Sequence, residues 1–137
     1  MATYTKYEVF VEDLMNKLHD LFGTTDTVNA VIHTDAPVVA TDAAVSDLTQ
    51  ITGTGYAAAD IQNDSTRTGG TVTMTAVDKV WTAGAADWTS TARYVSMYND
   101  TSVTDRLIAS WDYGTTFAVG NGETFTLDFG ASVLTLA

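Results

Sequence analysis

The chain has 137 residues, with 6 Lys and Arg against 17 Asp and Glu, a formal net charge of −11 and no cysteine. That length is one domain's worth, and the six cations (Lys6, Lys17, Arg67, Lys79, Arg93, Arg106) are scattered, which argues against a nucleic-acid surface or an anionic-membrane surface. Without cysteine there is no disulfide, thiolate metal site or thiol nucleophile, and a hydrophobic content of 45% excludes a disordered chain.

Tyr7, Phe10, Val11, Leu14, Met15, Leu18, Leu21 and Phe22 recur at helical spacing. They predict one amphipathic helix over residues 7–22, with Gly23 as its stop. The pattern then changes to strand grammar. Residues 27–33 read as a short apolar strand closed by the turn around Pro37. Residues 38–51 are mixed, with a helical turn expected over 43–48, and "GTGY" (53–56) is a sharp turn. The polar stretch "DIQNDSTRTG" (60–69) reads as a loop and is the most plausible place for a linker, although no domain boundary is placed there. "TVTMTAV" (71–77) and "TFTLDF" (124–129) alternate threonine outward with Val72, Met74 and Ala76, or Phe125, Leu127 and Phe129, inward.

Between them, residues 93–114 predict a β-hairpin around a polar loop at 99–106. Val95 and Met97 point to one face, and Tyr94, Ser96 and Tyr98 to the other. After the loop, Leu107, Ala109, Trp111 and Tyr113 share a face opposite Ile108, Ser110 and Asp112. A short run at 116–119 leads through the turn "GNGE" into "TFTLDF", and residues 133–136 form a last strand. Threonine, at 25 positions, suits the solvent faces of such strands. The expected fold is mainly β: an antiparallel β-sandwich or jelly roll with one N-terminal amphipathic helix. It occupies one domain, 1–137, with the helix at about 7–22 and the sandwich at about 27–137. No apolar run approaches the roughly 18 residues of a membrane span, and the N-terminus lacks the charged-then-apolar pattern of a secretory leader.

Motifs that carry chemistry are scarce. The two histidines, His19 and His33, have no third metal ligand at a recognisable spacing. A Ser/His/Asp triad has no Gly-x-Ser-x-Gly elbow to support it. Asp60 with Asp64, Asp100 with Asp105, and Glu123 with Asp128 are loose acidic pairs that could hold Ca²⁺, but no calcium-loop motif occurs and solvated surface acids are the simpler reading. The glycines of "GTGY" and "GNGE" form no phosphate-binding loop. Trp81, Trp88 and Trp111 could line a carbohydrate platform, or could serve as core or interface anchors. No catalytic, cofactor or metal site is expected, and EDTA is expected to leave the melting temperature nearly unchanged.

Several stretches nevertheless resemble a known family: "KYEVFVEDLMNKLHDL" (6–21), "HTDAPV" (33–38), "SDLTQITGTGY" (46–56), "RYVSMYND" (93–100), "LIASWDYG" (107–114) and "GETFTLDF" (122–129), before a closing "LTLA". In order and over most of the chain, they resemble small virion proteins of tailed bacteriophages. The resemblance implies a non-enzymatic structural protein of the particle, of the capsid decoration (cement) type. It would be synthesised in the host bacterial cytoplasm and placed on the outer capsid surface. Its expected partner is the major capsid protein or another virion protein, and repeated copies or a homo-oligomer are expected. The candidate interface is Tyr7, Phe10 and Leu14 of the helix with Tyr94, Tyr98 and Ile108 of the hairpin, since together they look like more apolar surface than one small interior needs. The alternative is a tail or fibre module that recognises host-surface carbohydrate through exposed aromatics.

Overall fold

The computed structural model describes residues 2–88 and 91–137. Its strands are, in chain order, β1 (Thr3–Lys6), β2 (Val28–His33), β3 (Ala59–Asp60), β4 (Asp64–Thr68), β5 (Thr71–Thr75), β6 (Lys79–Thr82), β7 (Ala92–Asn99), β8 (Arg106–Phe117), β9 (Thr124–Leu127) and β10 (Leu134–Leu136). One helix, α1 (Glu8–Met15), follows β1, and a 3-10 turn spans Val45–Asp47. The chain is mainly β, with antiparallel sheets and one short helix near the N-terminus, an arrangement compatible with a β-sandwich.

The large sheet has the order β1-β8-β7-β2-β3. A three-stranded sheet runs β10-β5-β4, and β6 pairs with β9. Period-two alternation puts Ala30, Ile32, Val95, Met97 and Ala109 on one face of the large sheet. There they form one apolar cluster with Met74, Trp81, Leu127, Phe129 and Val133 from the smaller sheets and the C-terminal stretch. Val31, Tyr98 and Leu107 face the other way and are covered by Tyr7, Leu48, Val39 and Val45. The middle of the sheet is therefore buried on both sides, which is why β7 carries apolar and aromatic residues with so little polar interruption.

Three sequence expectations change. The helix ends at Met15 rather than at residue 22. Lys17 takes φ 58°, and the Lys17 and Leu18 amides bond back to the Leu14 and Asp13 carbonyls. That is a Schellman-type stop with lysine where glycine is usual. Residues 60–69 are not a loop: β4 pairs with β5 from Asp64 opposite Thr75 to Thr68 opposite Thr71. The hairpin β7–β8 does form, but its register shifts between Met97, opposite Ala109, and Tyr98, opposite Leu107. Ile108 is the extra residue, a β-bulge. As a result Ile108 and Ala109 both join the first cluster while Leu107 turns to the second, so the expected grouping of Leu107 with Ala109 and Trp111 does not hold.

Of the side chains expected inside, Met74, Val95, Met97, Leu127 and Phe129 are buried, whereas Val72, Trp111 and Phe125 are only half-buried. The helical turn expected at 43–48 is the 3-10 turn. There Asp47 accepts from the Ala43 and Ala44 amides, and those bonds hold its carboxyl below the usual range.

Candidate functional site

Two buried polar networks and one exposed apolar surface are the features with chemical potential. The first network lies on the second face of the large sheet. Ser96, mid-strand in β7, has its Oγ 2.8 Å from His33 Nε2 and 2.9 Å from the Tyr7 hydroxyl. His33 Nδ1 lies 3.0 Å from the Asp35 carbonyl and 3.4 Å from its carboxylate. A carbonyl only accepts, so Nδ1 carries the ring proton. Nε2 then accepts from Ser96, and Ser96 accepts from Tyr7.

Serine, histidine and aspartate thus meet in the order of a catalytic triad that sequence spacing did not suggest. The setting is nevertheless that of a core clasp. Ser96 and His33 are both 0% exposed, Tyr94 stacks on the His33 ring at 5.5 Å, and the serine oxygen is held between two internal partners. Burial pushes the His33 ring below its ordinary pKa and the Tyr7 phenol up to about 12. Both are neutral near pH 7, and the chain of hydrogen bonds ties the start of α1 to β2 and β7.

The second network anchors residues 16–27, which have no regular structure. Arg106 donates through Nε and Nη2 to the two Asp13 oxygens, each at 2.7 Å, a bidentate pair with the carboxylate 1% exposed. Asn99 is buried, and its amide nitrogen faces three acceptors with two hydrogens: Asp26 Oδ2 at 2.6 Å, His19 Nδ1 at 3.1 Å and the Leu18 carbonyl at 3.2 Å. Its oxygen accepts from the Thr101 and Ser102 amides, which fixes its orientation. His19 therefore carries its proton on Nε2, 3.8 Å from Asp13 Oδ2 and without a hydrogen-bond partner. Burial lowers the His19 pKa, while Asp13 and Asp26 pull it the other way. Asn63 completes the set, accepting from the Val28 amide and donating to the Asp26 carbonyl.

The other sequence candidates resolve into turn and packing roles. Asp60 and Asp64 border one polar hollow with Asp26, but each accepts from a nearby backbone amide. Among the described residues, no three His, Asp or Glu side chains converge as a metal site. Glu123 and Asp128 accept from the Gly120 and Gly130 amides. Gly55, at φ 88°, lets the chain pass so close to β6 that a Cβ would lie 2.1 Å from the Thr82 carbonyl, so this turn serves packing. Trp81 and Trp88 are buried and donate to the Ala57 and Thr54 carbonyls. Trp111 is half-buried between Tyr4 and Phe129.

The candidate interface is corrected. Tyr7, Phe10 and Ile108 are 0% exposed, Tyr98 5% and Tyr94 8%. Phe10 and Ile108 lie in the first apolar cluster, Tyr7 and Tyr98 lie in the second, and Tyr94 stacks on His33, so the chain's own residues cover all five. Leu14 alone remains half-buried, at the wall of a cleft.

Exposed apolar residues include Val11, Met15, Leu18, Phe22, Val103 and Leu136, with Tyr4, Val38, Val77 and Val80 on other elements. Two clefts lie beside segment 17–22, and Asp20 borders both. The first, of about 240 Å³, runs between that segment and one face of the three-stranded sheet, with Leu14, Leu21, Phe22, Met74, Leu134 and Leu136 as its walls. The second, of about 490 Å³, opens between Leu18 and the β7–β8 loop at Val103. Sequence periodicity did mark Val11, Met15, Leu18 and Phe22, as members of one apolar helix stripe. Leu18 and Phe22 lie beyond the end of the helix, whereas Val11 and Met15 are helical residues on its exposed side. In comparison with known proteins, the chain matches no family model, no curated protein and no solved structure.

Proposed function

We propose that the chain is a non-enzymatic structural protein of a bacteriophage particle, a capsid decoration (cement) protein seated on the outer shell. One observation carries the reading beyond the sequence resemblance. The large sheet is already covered on both faces, yet Phe22 is 57% exposed at the cleft it shares with Leu136, Leu18 is 43% exposed at the one it shares with Val103, and Met15 at the end of α1 is 83% exposed. A chain with a filled interior that leaves grouped apolar side chains in water has the surface of an assembly component. Burial against the major capsid protein or another virion protein, at about 25 cal/mol per Å², adds cohesion to each capsomer contact. Repetition over a shell multiplies the effect without any catalysis. The acidic surface suits a place outside the shell, away from packaged nucleic acid.

The reading is tested by adding the purified chain to undecorated shells and locating it in the particle. Saturable binding to the outer surface, with greater resistance of the shells to heat, is the expected result. A chain that binds no shell, or that is found only at the tail, refutes the cement role. The carbohydrate alternative has no observation in its favour, since Trp81 and Trp88 are interior and Trp111 is wedged between other rings.

A further inference from the structure

We propose that the free edge of β10, with the cleft beside it, binds an extended, cationic, apolar segment of a different protein by strand addition. The proposal rests on the particle reading only in taking that protein to be another virion subunit.

Among the described residues, β10 is the outer strand of its sheet, paired on one side with β5. An unpaired strand edge is a template for a further strand. Register fixes what the added strand would meet. Leu134 lies opposite Met74 and Leu136 opposite Val72, and Ser65 lies on the far side of Met74. These five residues share one face, and that face is the floor of the 240 Å³ cleft roofed by Leu14, Leu21 and Phe22. A strand added to β10 sits about 4.8 Å away and sends alternate side chains to that same face. There they extend the row formed by Leu134 and Leu136. The cleft is smaller than the roughly 300–1,000 Å³ of small-molecule pockets, so it suits one or two apolar side chains rather than a cofactor.

Charge selects among occupants. Exposed Asp20 borders both clefts and Asp64 opens β4 of the same sheet; of the cations, Lys17 borders the second cleft, Arg67 lies beyond Val72 on β4, and Arg106 is engaged by Asp13. The whole chain carries −11. A second copy would bring the same acids to the contact, whereas a segment with Lys or Arg beside its apolar anchors is attracted and steered.

The experiment is selection from a library of random short peptides displayed on yeast, followed by binding measurements on the full chain with synthetic winners. Expected winners carry alternating apolar residues flanked by Lys or Arg. Their binding weakens roughly tenfold on moving from low to high salt. Bound peptide slows amide exchange within Leu134–Leu136 and is lost in Phe22→Asp and in Leu136→Asp. Both variants keep the parent melting curve, because both side chains are exposed. Acidic or uncharged winners, no winners, or unchanged exchange in β10 overturn the proposal. So does a concentration-dependent dimer that Leu136→Asp abolishes, which would make the occupant a second copy. If peptides bind as described but undecorated shells do not, the strand-addition site stands and the particle reading fails. If shells bind while both variants bind them equally well, the reverse holds.

Discussion

Single buried polar atoms decide much of this protein's stability. Removing the Asp13 carboxylate, by Asp13→Ala, strands the Arg106 guanidinium in a mostly enclosed site. Because that guanidinium keeps 21% of its surface in water, the expected loss is roughly 2–3 kcal/mol, below the range for a fully buried pair. Arg93 and Asp112 make an equally well-formed bidentate pair, but both side chains are more than a third exposed, so Asp112→Asn is expected to move the melting temperature little. Denaturant melts of the two variants side by side check the contrast, and equal effects would contradict it. Ser96→Ala leaves both the Tyr7 hydroxyl and His33 Nε2 unpaired and is expected to cost about 2 kcal/mol, against about 1 for Tyr7→Phe.

The histidines set the pH response. Burial favours the neutral ring of His33 and of His19 in the folded chain, so the unfolded chain takes up protons first as pH falls. Stability is full above about pH 6.5 and declines below it as the pH drops through the folded-state values. Thermal melts between about pH 8 and 5 that stay flat would show that the imidazoles are not held neutral by burial.

Among the elements, two glycines that look alike in sequence are expected to behave differently. Gly55 and Gly69 both have positive φ, at 88° and 61°. A Cβ at Gly69 meets nothing within 4 Å, while at Gly55 it strikes the Thr82 carbonyl. Gly69→Ala is expected to cost about 1 kcal/mol from backbone strain alone. Gly55→Ala is expected to cost more than about 2 kcal/mol, because β6 must also move. Calorimetry on the two variants ranks them, and a smaller loss at Gly55 would contradict this packing account.

Elements were legible in the sequence where the apolar pattern is strong: β5 and β9 alternate threonine with apolar residues, and β7 stands out as an apolar, aromatic-rich run. β4 was hidden because "DSTRT" is polar on both faces, with only Ser65 turned inward. The bulge at Ile108 was hidden because one inserted residue leaves each half of the strand with a clean alternation. The end of α1 was hidden because nothing in the composition marks Lys17 as left-handed. These local misses explain the larger one about the interface. Tyr94 and Tyr98 looked surplus because the sequence cannot show residues 36–48 folding over the back of the sheet, and Ile108 because the bulge that turns it into the first cluster is hidden. Exposed apolar residues do exist, but they are Met15 at the end of α1 and Leu18 and Phe22 in the segment after it.

For the whole molecule, the separation of inner and outer apolar sets gives a direct test. Phe10→Asp is expected to prevent folding, because Phe10 is fully buried against the His19 ring. Met15→Asp should fold with a change within about 0.5 kcal/mol, since substitutions at such exposed sites are usually mild. If shell binding depends on this surface, Met15→Asp should weaken it without touching the fold, as measured by circular dichroism and sedimentation with shells. EDTA is expected to leave the melting temperature nearly unchanged, and a fall of more than about 10 °C would reveal a structural ion.

The order β1-β8-β7-β2-β3 also has a consequence for the timing of synthesis. Thr3 pairs with Asp112 and Lys6 with Ala109, so the first strand translated waits for one of the last. Until β8 clears the ribosome, β1 has no partner strand, the Tyr7 amide has no Ile108 carbonyl to bond, and β7 is paired on one edge at most. Loop closure over nearly the whole chain must be met before those contacts repay it, which places folding in the slow, millisecond-to-second class of non-local β topologies. A nascent chain stalled before residue 106 is therefore expected to leave β1 and α1 open to protease, and their protection should appear only once β8 is exposed.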